Sequence, residues 1–235
     1  MDTLPLVSLG LGFILGVRHA MDPDHVAAVS ALLSQHRSLA RSCLLGTFWG
    51  VGHTMALLAA GVAVIVFKLT ISPEVAKGME MAVAVVLILL GGHVLRRSLG
   101  VWSFHRHEHS HDGHPHSHFH LHASAEDSPG HTHLLKVGGR PFLVGFLHGM
   151  AGSAALMLSV LTAIQSPVRA FLYILVFGIG STGGMLVLSG LIGIPFVVTA
   201  DRSRQAHAAI QALAGAASLI LGLALAWNLG VTAFV

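Results

Sequence analysis

The stretch Gly16-Val17-Arg18-His19-Ala20-Met21-Asp22-Pro23-Asp24-His25-Val26 interrupts an apolar run that extends from about residue 3 to residue 34. On one continuous helix His19 and His25 would point in different directions, because each residue turns about 100°. They need not, because Pro23 disfavours helical geometry at Asp22 and cannot donate to the helical ladder. Asp22-Pro23 instead fits the N-cap and first position of a new half-helix. The run therefore reads as a broken helix with four ionisable side chains at the break. If the run lies in a membrane, such groups cost a few kcal/mol or more and mark a functional site.

Composition supports a membrane. Of 235 residues, 54% are apolar and only 10% charged, with a mean hydropathy of +0.76. Soluble domains carry about 25% charged residues. So little charge excludes a water-soluble enzyme, a nucleic-acid binder and a disordered chain. The pI of 9.6 does not reverse this, because the 13 Lys and Arg are scattered and form no basic face. The N-terminus, Met1-Asp2-Thr3-Leu4, lacks a basic segment, so no cleaved signal peptide is expected. The single cysteine, Cys43, permits no internal disulfide and reads as an inert thiol in an apolar run.

A spanning helix needs roughly 20 apolar residues. Residues 42–67, 141–168, 170–200 and 205–235 contain no Asp, Glu, Lys or Arg, and 78–95 contains only Glu80. With the interrupted run these predict six transmembrane helices near 3–34, 42–67, 76–98, 139–164, 169–198 and 206–232. The expected class is an all-α polytopic membrane protein. Arg37, Arg41, Arg96, Arg97, Arg106, Lys136, Arg140, Arg202 and Arg204 fall on one side, against Lys68, Lys77 and Arg169 on the other. The positive-inside bias puts both termini outside and the loop 99–138 in the cytoplasm.

That loop is a compositional anomaly. Its centre, HRHEHSHDGHPHSHFHLH, holds His105, His107, His109, His111, His114, His116, His118, His120 and His122, and His131 and His133 follow. No apolar period predicts a packed core there. Dense imidazoles suit Ni, Co, Cu and Zn, which reads as an auxiliary metal buffer or sensor. The bland alternative is a polar linker.

The two halves resemble each other. Gly16-Val17-Arg18-His19-Ala20-Met21 aligns with Gly145-Phe146-Leu147-His148-Gly149-Met150. Trp49-Gly50-Val51-Gly52-His53-Thr54 aligns with Phe177-Gly178-Ile179-Gly180-Ser181-Thr182, and Leu90-Gly91 with Leu221-Gly222. The expected organisation is a 3+3 inverted repeat, residues 1–98 and 139–235, flanking the loop. In the second half, His148-Gly149-Met150-Ala151-Gly152-Ser153 predicts a matching break, so helices one and four are both broken. Paired interruptions of this kind point to a transport site.

The candidate metal residues are His19, Asp22, Asp24 and His25, joined by His53 in span two and His148 at the second break. Mixed imidazole and carboxylate donors suit a borderline divalent transition ion. A lone intramembrane His also serves as a helix–helix hydrogen-bonding group, which is the plainer reading of His53 and His148. Arg18 reads as a counter-ion, since a guanidinium repels a cation.

These residues resemble the nickel–cobalt transporter family, whose signature H-x-x-x-x-D-H stands here as His19 to His25. Leu45-Gly46-Thr47-Phe48-Trp49-Gly50-Val51-Gly52-His53-Thr54 is similar to the family's next-helix stretch. The second half is similar to the shorter, urease-accessory-protein-H-like branch, and its spans lack the acidic motifs of the eight-span members. The resemblance implies secondary transport of Ni²⁺ or Co²⁺ across the cell membrane, without a prosthetic group. His19, Asp24 and His25 carry the signature, with Asp22 and His53 in support. No nucleotide-binding motif is present. Uptake is slightly favoured over efflux, with a cytoplasmic metallochaperone or nickel-enzyme machinery as the receiving partner. The alternatives are an intramembrane zinc hydrolase and a metal sensor. The hydrolase has no H-E-x-x-H in any predicted span, since the one match, His107 to His111, falls in the His-rich loop, and the sensor leaves the buried Asp-His cluster unexplained.

Overall fold

The computed structural model describes residues 4–69, 71–100, 105–111, 114–120, 134–151, 164 and 166–231. Its helices are α1 (Leu4–His19), α2 (Pro23–Leu33), α3 (Leu39–Ile65), α4 (Pro73–Ser98), α5 (Leu134–Met150), α6 (Pro167–Arg202) and α7 (Arg204–Val231). Four of them, α3, α4, α6 and α7, are long and apolar enough to cross a membrane.

The first run is broken where Pro23 requires it, with α1 ending at His19 and α2 opening at Pro23. Asp22 takes the N-cap position, and its backbone carbonyl accepts from Val26 N–H at 3.0 Å. Its side chain makes no cap bond, contrary to the usual role of an aspartate there. Tight turns close the end of α1. Met21 N–H donates to the Arg18 carbonyl at 2.9 Å and Asp22 N–H to the His19 carbonyl at 3.0 Å. The Arg18 and His19 carbonyls are thus already engaged. The second-half helix α5 starts at Leu134, earlier than the expected 139, and ends at Met150, inside the expected break. Gly152 and Ser153 lie outside the described residues.

Packing relies on small residues, as membrane helices must when lipid is as apolar as leucine. Helices α3 and α6 run antiparallel: Gly46 meets Met185 and Ser189, Gly50 meets Thr182, and Gly178 meets Thr54. Thr54 Oγ1 donates to the Gly178 carbonyl at 3.0 Å, and the Thr54 and Thr182 hydroxyls are also 3.0 Å apart. Gly16 lies against the Phe177 backbone, and Gly145 against that of Trp49. Gly180 lies against Phe13, and Gly52 against Phe142. Between α4 and α7, Gly91 meets Gly215 and Leu219, Gly222 meets Ala84 and Ile88, and Ser218 Oγ donates to the Leu87 carbonyl at 2.9 Å. The buried core behind the break includes Ala20, Ala28, Leu33, Trp49, Leu87 and Met185. Large apolar side chains such as Leu89, Leu191, Ile220 and Trp227 face outward, which suits a lipid environment.

In the His-rich loop, His105–His111 (β1) and His114–His120 (β2) pair antiparallel, with His105 opposite His120, His107 opposite His118, His109 opposite His116 and His111 opposite His114. His122, His131 and His133 lie outside the described residues. The helical part follows the all-α expectation.

Adjacent glycines in α4 give a sharp test. A Cβ on Gly91 would strike the backbone of α7, whereas one on Gly92 would meet open space. Gly91→Ala is expected to destabilise the detergent-solubilised protein by about 1–3 kcal/mol through overpacking. Gly92→Ala should be neutral or stabilise it by up to about 1 kcal/mol. Thermal unfolding measures both, and equal effects would contradict this packing.

Candidate metal centre

The six candidate side chains come from four helices and meet at one place. Asp24 sits in the first turn of α2, beside the positive end of that helix, which its carboxylate offsets. His19 is the last residue of α1, and His148 lies two residues before the end of α5. The negative ends of two helices therefore converge on the cluster, an arrangement that favours a cation. His53 projects from the middle of α3, one turn beyond Trp49.

Asp24 is the hub. One carboxylate oxygen, Oδ1, accepts from His25 Nδ1 at 3.1 Å and from the His25 backbone N–H at 3.0 Å. The other, Oδ2, accepts from His148 Nε2 at 2.8 Å. A first-half carboxylate is thereby tied to a second-half imidazole. Asp22 plays a different part: its Oδ2 accepts from His19 Nδ1 at 2.6 Å. An ionised carboxylate only accepts, so the proton sits on Nδ1, and the Nε2 of neutral His19 keeps its lone pair. That nitrogen lies 3.1 Å from His53 Nε2. A carboxylate behind an imidazole, orienting it and raising its basicity, is the usual support of a metal-bound His. Asp22 thus stands behind the cluster and is half exposed, whereas His25, His53 and His148 are almost fully buried.

Two groups have the spacing of metal ligands: His19, His25 and His53, and Asp24, His25 and His148. Within each, the donor atoms lie within 4.8 Å of one another. Two of the buried nitrogens, His25 Nε2 and His53 Nδ1, have no hydrogen-bond partner. An unpaired buried polar atom is costly, and an arriving ion would supply the missing interaction at His25. The imidazoles also stack edge to face, with His25 centred 4.6 Å from His19 and 4.3 Å from His148.

Sequence reasoning missed two aromatic walls. Trp49 is fully buried with its ring 5.6 Å from His148, and Phe177 packs 5.5 Å from His19. They occupy matching positions in the repeated motifs, and that was their signal. Arg18 is exposed.

The chain is similar to known proteins over most of its length. A family model described as high-affinity nickel-transport protein matches residues 6–226. The urease accessory protein UreH of Bacillus sp. (strain TB-90) is 40% identical over 233 residues, 99% of this chain and 96% of that one. Two Arabidopsis thaliana chloroplast proteins, FOR GROWTH AND FERTILITY 2 and FOR GROWTH AND FERTILITY 1, are 25% and 24% identical over 77% and 80% of this chain. The chain spans 45% and 50% of their lengths. No solved structure matches.

If Asp22 acts through His19, Asp22→Ala should weaken Ni²⁺ affinity by about 10–100-fold. Calorimetric titration of the full chain with the loop histidines replaced by serine measures this. Unchanged affinity would remove Asp22 from the site.

Proposed function

The chain belongs to the family of high-affinity nickel-transport proteins, and from that premise we propose that it is a secondary transporter of Ni²⁺, with Co²⁺ as a second substrate. The carrying observation is the hydrogen bond at 2.8 Å between Asp24 and His148. It ties the break of the first half to the end of α5 in a single cluster of imidazoles and carboxylates. His19, Asp24, His25, His53 and His148 take over part of the ion's water shell, and Asp22 orients His19. Imidazole nitrogens fit the preference of Ni²⁺ and Co²⁺ over hard ions.

Six spans in a 3+3 inverted repeat, residues 1–98 and 139–235, supply the alternating access. The paired glycine contacts support this. Gly16 on Phe177 becomes Gly145 on Trp49 when the halves are exchanged, and Gly180 on Phe13 becomes Gly52 on Phe142. Thr54 and Thr182, at matching positions of antiparallel helices, touch each other as residues on a two-fold axis must. Such an axis lies in the membrane plane.

The protein resides in the cell membrane with both termini outside and the loop 99–138 in the cytoplasm. Transport runs inward. The loop histidines then buffer the ion and pass it to a metallochaperone or nickel-enzyme machinery, a reading that the urease accessory relative supports. Membership of a transport family favours this reading over an intramembrane zinc hydrolase.

Radioactive Ni²⁺ flux into oriented proteoliposomes tests this reading. Intact protein should carry Ni²⁺ in competition with Co²⁺, driven by an imposed ion gradient or voltage, and Asp24→Ala should abolish flux. Equal flux in the two proteins would overturn it.

A further inference from the structure

The two ligand groups are not independent, because His25 belongs to both. We infer that the buried centre offers the ion two successive positions, one at His19, His25 and His53 and one at Asp24, His25 and His148, with His25 as the ligand they share. The inference rests on the transport reading above.

The argument is one of donor capacity. A neutral imidazole has one protonated nitrogen and one lone pair. His25 can therefore bind an ion in one position or in the other, and the centre holds one ion at a time. The two positions would use the two nitrogens of its ring, one each. The Nδ1 edge faces Asp24, whose other oxygen holds His148. The Nε2 edge is buried and without a partner. The ring itself is 1% exposed, and neighbouring imidazoles from α1, α3 and α5 pack against it. Passing from the first position to the second exchanges the Nδ1–H tautomer of this ring for the Nε2–H tautomer, and water, which reaches the 36% exposed side chain of Asp24, relays the proton. His53 and His148 are centred 6.4 Å apart, the widest imidazole separation among those in contact here, and each belongs to one group alone. Three donors in each position, among the described residues, replace only part of the ion's water shell and hold it loosely enough to move on, which conduction through a buried site requires. His19 brings its Asp22 support to the first position, and Asp24 brings its own charge to the second.

The test uses the full chain with loop histidines replaced by serine, with Ni²⁺ itself as the probe. Binding is read by calorimetric titration and flux in proteoliposomes. His53→Gln and His148→Gln keep a polar side chain of similar reach, and gel filtration with thermal unfolding establishes that each is folded. Each single variant should still bind one Ni²⁺ per chain, because the other position survives, yet lose flux. The His53→Gln, His148→Gln double variant and His25→Gln should lose binding. Loss of binding in either folded single variant would overturn the two-position account while leaving transport by the parent intact. Normal flux in a single variant would overturn it as well. A parent that neither binds nor carries Ni²⁺ would overturn the transport reading and this inference with it.

Discussion

A carboxylate that solvent reaches only in part is stabilised by donors around it, and the organisation of this protein follows from how the part-buried Asp24 finds them. Its two oxygens take protons from His25 and His148, one imidazole from each half of the chain. Removing either partner would leave a charge with little compensation. The bond therefore fixes the end of α5 against the start of α2, and the glycines of α1, α3, α5 and α6 permit the helices to approach that closely.

The same constraint sorts the two aspartates. Both flank Pro23, and on sequence alone they are equivalent candidates. Helix geometry separates them. Asp24 lies inside the first turn of α2 and faces the cluster, whereas Asp22, at the cap, turns back to the last residue of α1. One carboxylate becomes the hub and the other a brace. The cap bond that Asp22 forgoes is the cost of orienting His19.

Much of this was legible in the chain. Pro23 announced the break, because no helix continues unkinked through a proline preceded by aspartate. The Gly-rich motifs marked α3 and α6 as matching elements of the two halves, and the structure adds that they pack on each other, because small residues let backbones touch. The end of α5 at Met150 followed from Gly149 and its neighbours. Other features were not legible. His53 and His148 are isolated residues in apolar helices, and their convergence depends on how the helices cross. The walls formed by Trp49 and Phe177 depend on the same crossings. The pairing of β1 with β2 carries no apolar signal, because alternating His leaves no hydrophobic face to read.

The ligand sphere of the transported ion tests the central claim, a single buried centre built by both halves, most directly. X-ray absorption at the nickel edge of the loaded full chain, with its loop histidines replaced by serine, reads that sphere. The account predicts the multiple-scattering signature of imidazole ligands, altered by His148→Gln as the ion falls to His19, His25 and His53 alone. A spectrum of nickel bound only by water and carboxylate oxygens, indifferent to that substitution, would contradict it.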